Sequence, residues 1–210
     1  MRGNSGDMVL IRDAAPSDIA SMTTMVPRAF APSAFLPQII PDTALTRAWW
    51  TSTYRNALDD ADCRILVAVD KSGDTVGILT LHYLGPESHA SASAGVTLTV
   101  PLTPDHSPVL AKAFAGMKQE RKDLMGDTPH FLIELVGVDD HYKGLGIGRR
   151  LTERACEIAD QRDAAIFLQT SAARDYYTQR LRLGFREMRR EEGNGSGGTV
   201  VRPRRSEREH

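Results

Sequence analysis

Apolar residues along this chain change their spacing several times, and each change of rhythm marks a predicted element. Met8 to Arg12 reads as a first strand. Ile19, Met22, Met25, Val26 and Phe30 then take helical spacing, with Ser17 as the expected N-cap and Pro27 expected to bend or end the helix. Prolines between Pro32 and Pro41 predict a rigid connector, after which Asp42 opens a helix with Leu45, Trp49 and Leu58 on one face. Arg64–Val69 and Thr75–Tyr83 are β-rich runs joined by the turn-type cluster Asp70-Lys71-Ser72-Gly73-Asp74, which predicts a hairpin.

From Gly85 to Asp105 the sequence is small, polar and proline-punctuated, with one strand-like alternation at Val96, Leu98 and Val100; a loop on the substrate side is expected. Ser107 and Pro108 start a helix carrying Leu110, Ala113, Phe114 and Met117. The strand Phe131–Val138 follows, then a helix with Ile147, Leu151, Ala155, Ile158 and Ala159 on one face, then the strand Ala165–Gln169. Two strands joined by a crossover helix must be parallel, and right-handed, if they share a sheet. Phe185–Glu191 and Thr199–Arg202, separated by a glycine-rich stretch, predict a terminal antiparallel pair. No repeat or linker divides the chain. The expected organisation is a flexible leader over residues 1–7, one α+β domain over 8–203 and a charged, frayed tail over 204–210.

Composition narrows the classes of partner. Twenty-six basic against 27 acidic residues leave a net charge of −1, so no bulk attraction to nucleic acid or anionic lipid is expected. No apolar run approaches the roughly 18 residues of a membrane span, and the first residues lack a signal-peptide core, so a cytoplasmic protein without membrane partners is expected. Cys63 and Cys156 are too few and too far apart for a disulfide framework or a zinc knuckle. Neither His130 nor His141 has metal-ligand spacing, and no metal is expected.

The most informative stretch runs from Phe131 to Leu151: an apolar strand enters a loop with glycine at alternate positions and then passes straight into a helix. A helix N-terminus exposes unpaired N–H groups and partial positive charge, and Gly144, Gly146 and Gly148 let backbone approach an anion closely. The spacing decides which anion. It is not the G-x-G-x-x-G of dinucleotide enzymes, and no acid ends the following strand. Nor does Lys-Ser or Lys-Thr follow, as a nucleoside-triphosphate loop requires.

Lys143-Gly144-Leu145-Gly146-Ile147-Gly148 instead resembles the Q/R-x-x-G-x-G/A pyrophosphate loop of the GNAT superfamily of acetyl-CoA-dependent N-acetyltransferases, with Lys143 in place of the usual Gln or Arg. Leu183-Gly184-Phe185 matches the family's L-G-F, and Ile11-Arg12-Asp13-Ala14 with Ser17-Asp18-Ile19 is similar to its first strand and capped helix. The segment Gly126–Phe131 is similar to a fungal branch of the superfamily. The resemblance implies a mixed, mostly antiparallel sheet flanked by helices, with a central parallel strand pair that splays to hold acetyl-CoA. It also implies direct acetyl transfer, in a ternary complex, to a small-molecule or protein amine, by a monomer or homodimer.

On that footing the residues acquire expected roles. Lys143, Gly144, Leu145, Gly146, Ile147, Gly148 and Arg149 hold the pyrophosphate. Val136, Gly137 and Val138, on a strand bent away from its parallel neighbour with Gly137 easing the bend, pair with the pantetheine and polarise the thioester. The family's tyrosine acid belongs four residues before the glycine of G-F, which here is Arg180; counting from Ser171 instead favours Tyr177, beside Tyr176. A tyrosine of pKa near 10 is a reasonable proton source for a leaving thiolate. Glu134 stands inside an apolar strand, where a carboxylate is costly, and is the candidate base. The alternative is a GNAT-like protein that binds acyl-CoA as a sensor or partner module, or catalyses a different reaction.

Overall fold

A computed structural model of the chain describes residues 9–33, 36–85, 101–191 and 197–208. Among them the elements run β1 (Leu10–Asp13), α1 (Ile19–Phe30), α2 (Leu36–Ile39), α3 (Ala44–Asp59), β2 (Cys63–Val69), β3 (Thr75–Leu84), α4 (Pro108–Met125), β4 (His130–Val138), α5 (Ile147–Gln161), β5 (Ala165–Thr170), β6 (Arg186–Arg190), β7 (Gly198–Arg202) and α6 (Arg205–Arg208). The strands form one sheet in the order β1-β2-β3-β4-β5-β7-β6. Every pairing is antiparallel except β4 with β5, the pair bridged by α5. This is the mixed α+β sheet expected. The strand-like alternation at Val96, Leu98 and Val100, the leader and most of the glycine-rich stretch lie outside the described residues.

Each central strand is buried on both faces, and alternate side chains sort into two cores. On one face Leu66, Leu79, Leu81, Ile133, Ile166 and Leu168 meet Ile147, Leu151, Ala155 and Ile158 of α5. On the other, Ile65, Val67 and Ile78 meet Met22, Met25 and Val26 of α1 and Trp49, Trp50 and Tyr54 of α3. Met125 at the end of α4 joins Ala165, Phe167 and Val201 on that same face, because β5 turns Ile166 and Leu168 the opposite way. None of the described helices is long and apolar enough to cross a membrane.

Several local readings are corrected. The helix runs through Pro27 to Phe30 without a break. Its start is organised by Asp18 rather than Ser17: the buried Asp18 carboxylate accepts from the Ala15 N–H at 2.7 Å and from both Arg12 guanidinium nitrogens. Thr43, not Asp42, caps α3, its Oγ1 accepting from the Thr46 N–H. Leu45 is 51% exposed and Met117 40%, so the buried faces of α3 and α4 are rotated from those expected. The tail is tied down through residue 208: Ser206 donates to Asp163, and Arg208 pairs with Asp160, which also receives Arg202.

Close packing of α5 on the sheet depends on Gly77, near the start of β3. A Cβ there would lie 2.9 Å from Ile147 Cγ2 and 3.2 Å from both Ala68 Cβ and Leu151 Cδ1. Gly77→Ala is therefore expected to destabilise the fold by about 1–3 kcal/mol through overpacking. Gly116 lies on the exposed side of α4 with nothing within 4 Å of its missing Cβ, and Gly116→Ala is expected to stabilise by about 0.5–1 kcal/mol. Urea unfolding of the two variants should move in opposite directions; shifts of the same sign would contradict the packing.

Candidate functional site

The parallel pairing of β4 and β5 stops early. Registered pairs run from His130 with Ala165 to Ile133 with Leu168 and go no further, although β4 continues to Val138. The cause lies on the other side of β4. Leu81 pairs with Ile133 and Thr80 with Leu135, so Glu134 is an extra residue, a β-bulge. Gly137 was the expected point of bending. It lies instead where α1 presses on the sheet, the position of its missing Cβ being 3.3 Å from Phe30 and 3.5 Å from Ala29.

Beyond the bulge, backbone direction follows from alternation. The Asp139 N–H donates to the Val76 carbonyl at 2.9 Å, so the polar groups of Gly137 and Leu135 also face β3. Those of Val136 and Val138 face the gap left by β5. An open sheet edge inside a fold is costly unless something pairs with it. Val136 and Val138 are only partly buried and flank this gap.

At the mouth of the gap the chain turns through Asp140–Tyr142 and enters α5. Gly144 and Gly146 adopt φ of +80° and +77°, the left-handed region that only glycine enters without strain, and a Cβ on either would meet nothing within 4 Å. The first turn of α5 has no intrahelical acceptor for the Ile147, Gly148 and Arg149 amides, and no side chain caps Gly146. Open backbone and an uncapped helix start suit a diphosphate. Lys143 Nζ lies 2.7 Å from Asp140, and Arg149 Nε lies 2.7 Å from Glu153. Both pairs are on the surface, where such bridges are weak and exchange readily for another anion.

Side chains from three parts of the chain brace this loop. Tyr142 donates to Asp70 at 2.7 Å, tying the loop to the β2–β3 turn. Buried Asp139 accepts from the His141 N–H and His141 Nδ1, and Arg28 reaches it from α1 at 3.0 Å. Burial alone would raise Asp139, but the His141 hydrogen bonds and the Arg28 charge hold its carboxyl below the ordinary range.

The two tyrosines separate. Tyr177 is 5% exposed, packed edge-on against Phe185 and Tyr176 in the α5 core, and burial pushes its hydroxyl far above the ordinary tyrosine value. Tyr176 is half-buried, and its hydroxyl lies 3.9 Å from where a Cβ on Gly148 would stand. Burial raises the Tyr176 hydroxyl while the Arg149 charge opposes the rise. Between the tyrosines and Gly184 the backbone absorbs the extra length: Tyr176–Arg180 widen into a π turn in which the Leu181 N–H reaches the Tyr176 carbonyl, and Arg182 takes a φ of +54°.

Glu134 is partly buried on the face shared by α1, α3 and α4, because the bulge sends both Glu134 and Leu135 that way. Its charge is felt by Cys63 on β2 and Arg121 on α4. The neighbouring His130 is a satisfied structural group. Arg121 lies 3.2 Å from His130 Nε2 and donates to it, which places the ring proton on Nδ1, where it is donated to the Thr128 carbonyl at 2.7 Å. Among the described residues, no group of three or more His, Cys, Asp or Glu is arranged to hold a metal ion.

Residues 32–185 match the acetyltransferase (GNAT) family. Among solved structures, the chain is similar to a Corynebacterium glutamicum protein described as histone acetyltransferase and related acetyltransferase, with a TM-score of 0.59 at 17% identity over 94% of this chain and 97% of that one. It is also similar to arylalkylamine N-acetyltransferase 2 of Aedes aegypti, with a TM-score of 0.61 at 15% identity over 92% and 97%. A third is a GNAT family N-acetyltransferase of Escherichia coli in complex with CoA, with a TM-score of 0.52 at 16% identity over 94% and 81%. At these identities the structural likenesses establish the fold. No curated protein sequence matches.

His130 gives the site region a pH signature. Burial depresses its pKa from 6.5 to about 4, against the Thr128 hydrogen bond and aided by the Arg121 charge. Below pH 6.5 the unfolded chain takes up a proton that the folded chain refuses, so stability is lost as pH falls towards 4, by about 3 kcal/mol for a shift of this size. Unfolding free energies measured across that window should fall less steeply for His130→Gln than for wild type; equal slopes would contradict the assignment.

Proposed function

The chain belongs to the acetyltransferase (GNAT) family, and from that premise we propose that it transfers an acetyl group from acetyl-CoA directly to an amine held on the α1/α3/α4 face of the split. The observation that carries the reading is the split itself: a bulge at Glu134 turns the Val136 and Val138 backbone towards an unpaired gap whose mouth is an uncapped, glycine-lined helix start. In this reading the amides of residues 144–149 take the pyrophosphate, with Lys143 and Arg149 exchanging their surface carboxylates for phosphate oxygens. Val136 and Val138 pair with the pantetheine, and one of their N–H groups faces the thioester oxygen as negative charge develops there. Gly137 supports the strand from the β3 side.

An alkylamine is mostly protonated at neutral pH and must lose a proton before or during attack. Glu134, set at the point of divergence, is the candidate base. The departing thiolate needs a proton in return. Tyr176 supersedes Tyr177 as the candidate donor, because its hydroxyl faces the α5 start and Arg149, whereas Tyr177 is held in the core and is the weaker acid. The acceptor class follows from the relatives only as a proposal. One of them is described as an arylalkylamine N-acetyltransferase and another as a histone acetyltransferase, so a small-molecule or protein amine is the proposed acceptor.

The test is thiol release from acetyl-CoA with a panel of primary amines, alongside calorimetric titration with CoA. Gly146→Ala, which strains a left-handed residue by about 1–2 kcal/mol and fills the cradle, should weaken CoA binding at least ten-fold while the protein stays folded. Tyr176→Phe should lower kcat more than donor affinity, and Tyr177→Phe should act mainly on stability. CoA binding without release of thiol in any amine mixture would favour the acyl-CoA sensor, and absence of CoA binding would overturn both readings.

A further inference from the structure

Behind the split, on the face that carries Glu134, the sheet buries polar groups that packing does not require. His82 on β3 is 1% exposed, and neither of its ring nitrogens has a hydrogen-bond partner. Thr80, two residues earlier on the same face, is likewise buried with an unpartnered hydroxyl. Each such group is costly if it stays unsatisfied. An imidazole with both nitrogens available can accept a proton on one and release it from the other.

His82 has β2, which Asp60 precedes, on one side and β4, the strand of Glu134, on the other. Its partner on β2 is Cys63 and on β4 Leu132, while the bulge residue Glu134 falls opposite the Thr80–Leu81 step and so lies between the Thr80 and His82 rows. Cys63, one strand further out, feels both Glu134 and Asp60. Asp60 Oδ2 lies 3.8 Å from His82 Nε2, one side-chain rotation short of a hydrogen bond, and with 27% of its side chain exposed Asp60 opens to solvent. The charges that act on the ring are Asp60 and Asp62 ahead of β2 and Arg121 on α4, and its register partner on β2 is Cys63. Burial holds the ring neutral, Asp60 and Asp62 pull its pKa up, and Arg121 pushes it down.

We propose that His82 is a relay residue that passes the acceptor amine's proton from Glu134 to Asp60 and so to water. This rests on the reading of Glu134 as the base. The amine gives its proton to the Glu134 carboxylate. The resulting acid hands a proton to one ring nitrogen, directly or through a water on Thr80 Oγ1, as the opposite ring nitrogen releases its own to Asp60. Asp60 exchanges that proton with solvent, and a ring flip restores the starting tautomer. No proton or electron is left over, and His82 itself never touches the amine.

The experiment compares wild type, His82→Gln and Asp60→Asn in acetyl transfer to a primary amine, with the His82 ring followed by nitrogen-15 NMR in wild type, Asp60→Asn and Glu134→Gln. The relay predicts that His82→Gln lowers kcat about ten-fold with the KM for acetyl-CoA unchanged, and that its rate then rises with buffer-base concentration while the wild-type rate does not. Asp60→Asn, a change at a partly exposed residue, should give a milder form of the same behaviour even if His82→Gln fails to fold. Removing either carboxylate should lower the ring's titration midpoint. Wild-type kcat without buffer dependence in the variants, or ring signals indifferent to both carboxylates, overturns the relay alone. Absence of transfer to any amine in wild type overturns the functional reading and the relay with it.

Discussion

One extra residue in one strand organises this molecule. With Glu134 inserted between the Leu81–Ile133 and Thr80–Leu135 pairs, β4 keeps its ladder with β3 but leaves β5 after Ile133. A strand cannot turn its polar edge towards nothing in the interior of a fold without cost, so the bulge creates a demand for an extended polar partner along Val136 and Val138. The same insertion turns Glu134 and Leu135 to one face. A single irregularity thus opens the slot proposed to take the donor and sets a carboxylate beside it.

The slot would be of little use without a fixed mouth. Gly77 lets α5 settle against β3, and the contact of Ile147 there fixes where the helix begins. From that point the left-handed Gly144 and Gly146 follow, since the chain must pass from Val138 to the helix start in a few residues while keeping its amides outward. Tyr142 on Asp70 and Asp139 with Arg28 hold the outer side of the loop. The cradle is therefore rigid where it is packed and open where a ligand would lie.

Much of this was legible in sequence wherever local chemistry decides conformation. The apolar run into alternating glycines, the helical spacing from Ile147 and the parallel return strand are local signals, and they yield the central unit and its family resemblance. What escaped depends on partners distant in the chain. A bulge is a property of two strands in register, so nothing near Glu134 or Gly137 distinguishes the bend from the crowded contact with Phe30. Tyr176 and Tyr177 are told apart by burial and by the packing of Tyr177 on Phe185, which counting along the chain cannot supply. Leu45 has core spacing, but Trp49 and Trp50 set the buried face of α3. The tail is charged in composition, yet Asp160 and Asp163, far earlier in the chain, bind it through residue 208.

Backbone amides on both sides of the split, rather than side chains, are proposed to grip the donor. Amide hydrogen exchange with and without CoA measures this residue by residue. Protection should rise at residues 144–149 and at Val136 and Val138, while Gly137, already bonded towards β3, changes little. Tight CoA binding that leaves those amides exchanging as before, or protects a different part of the sheet, would contradict it.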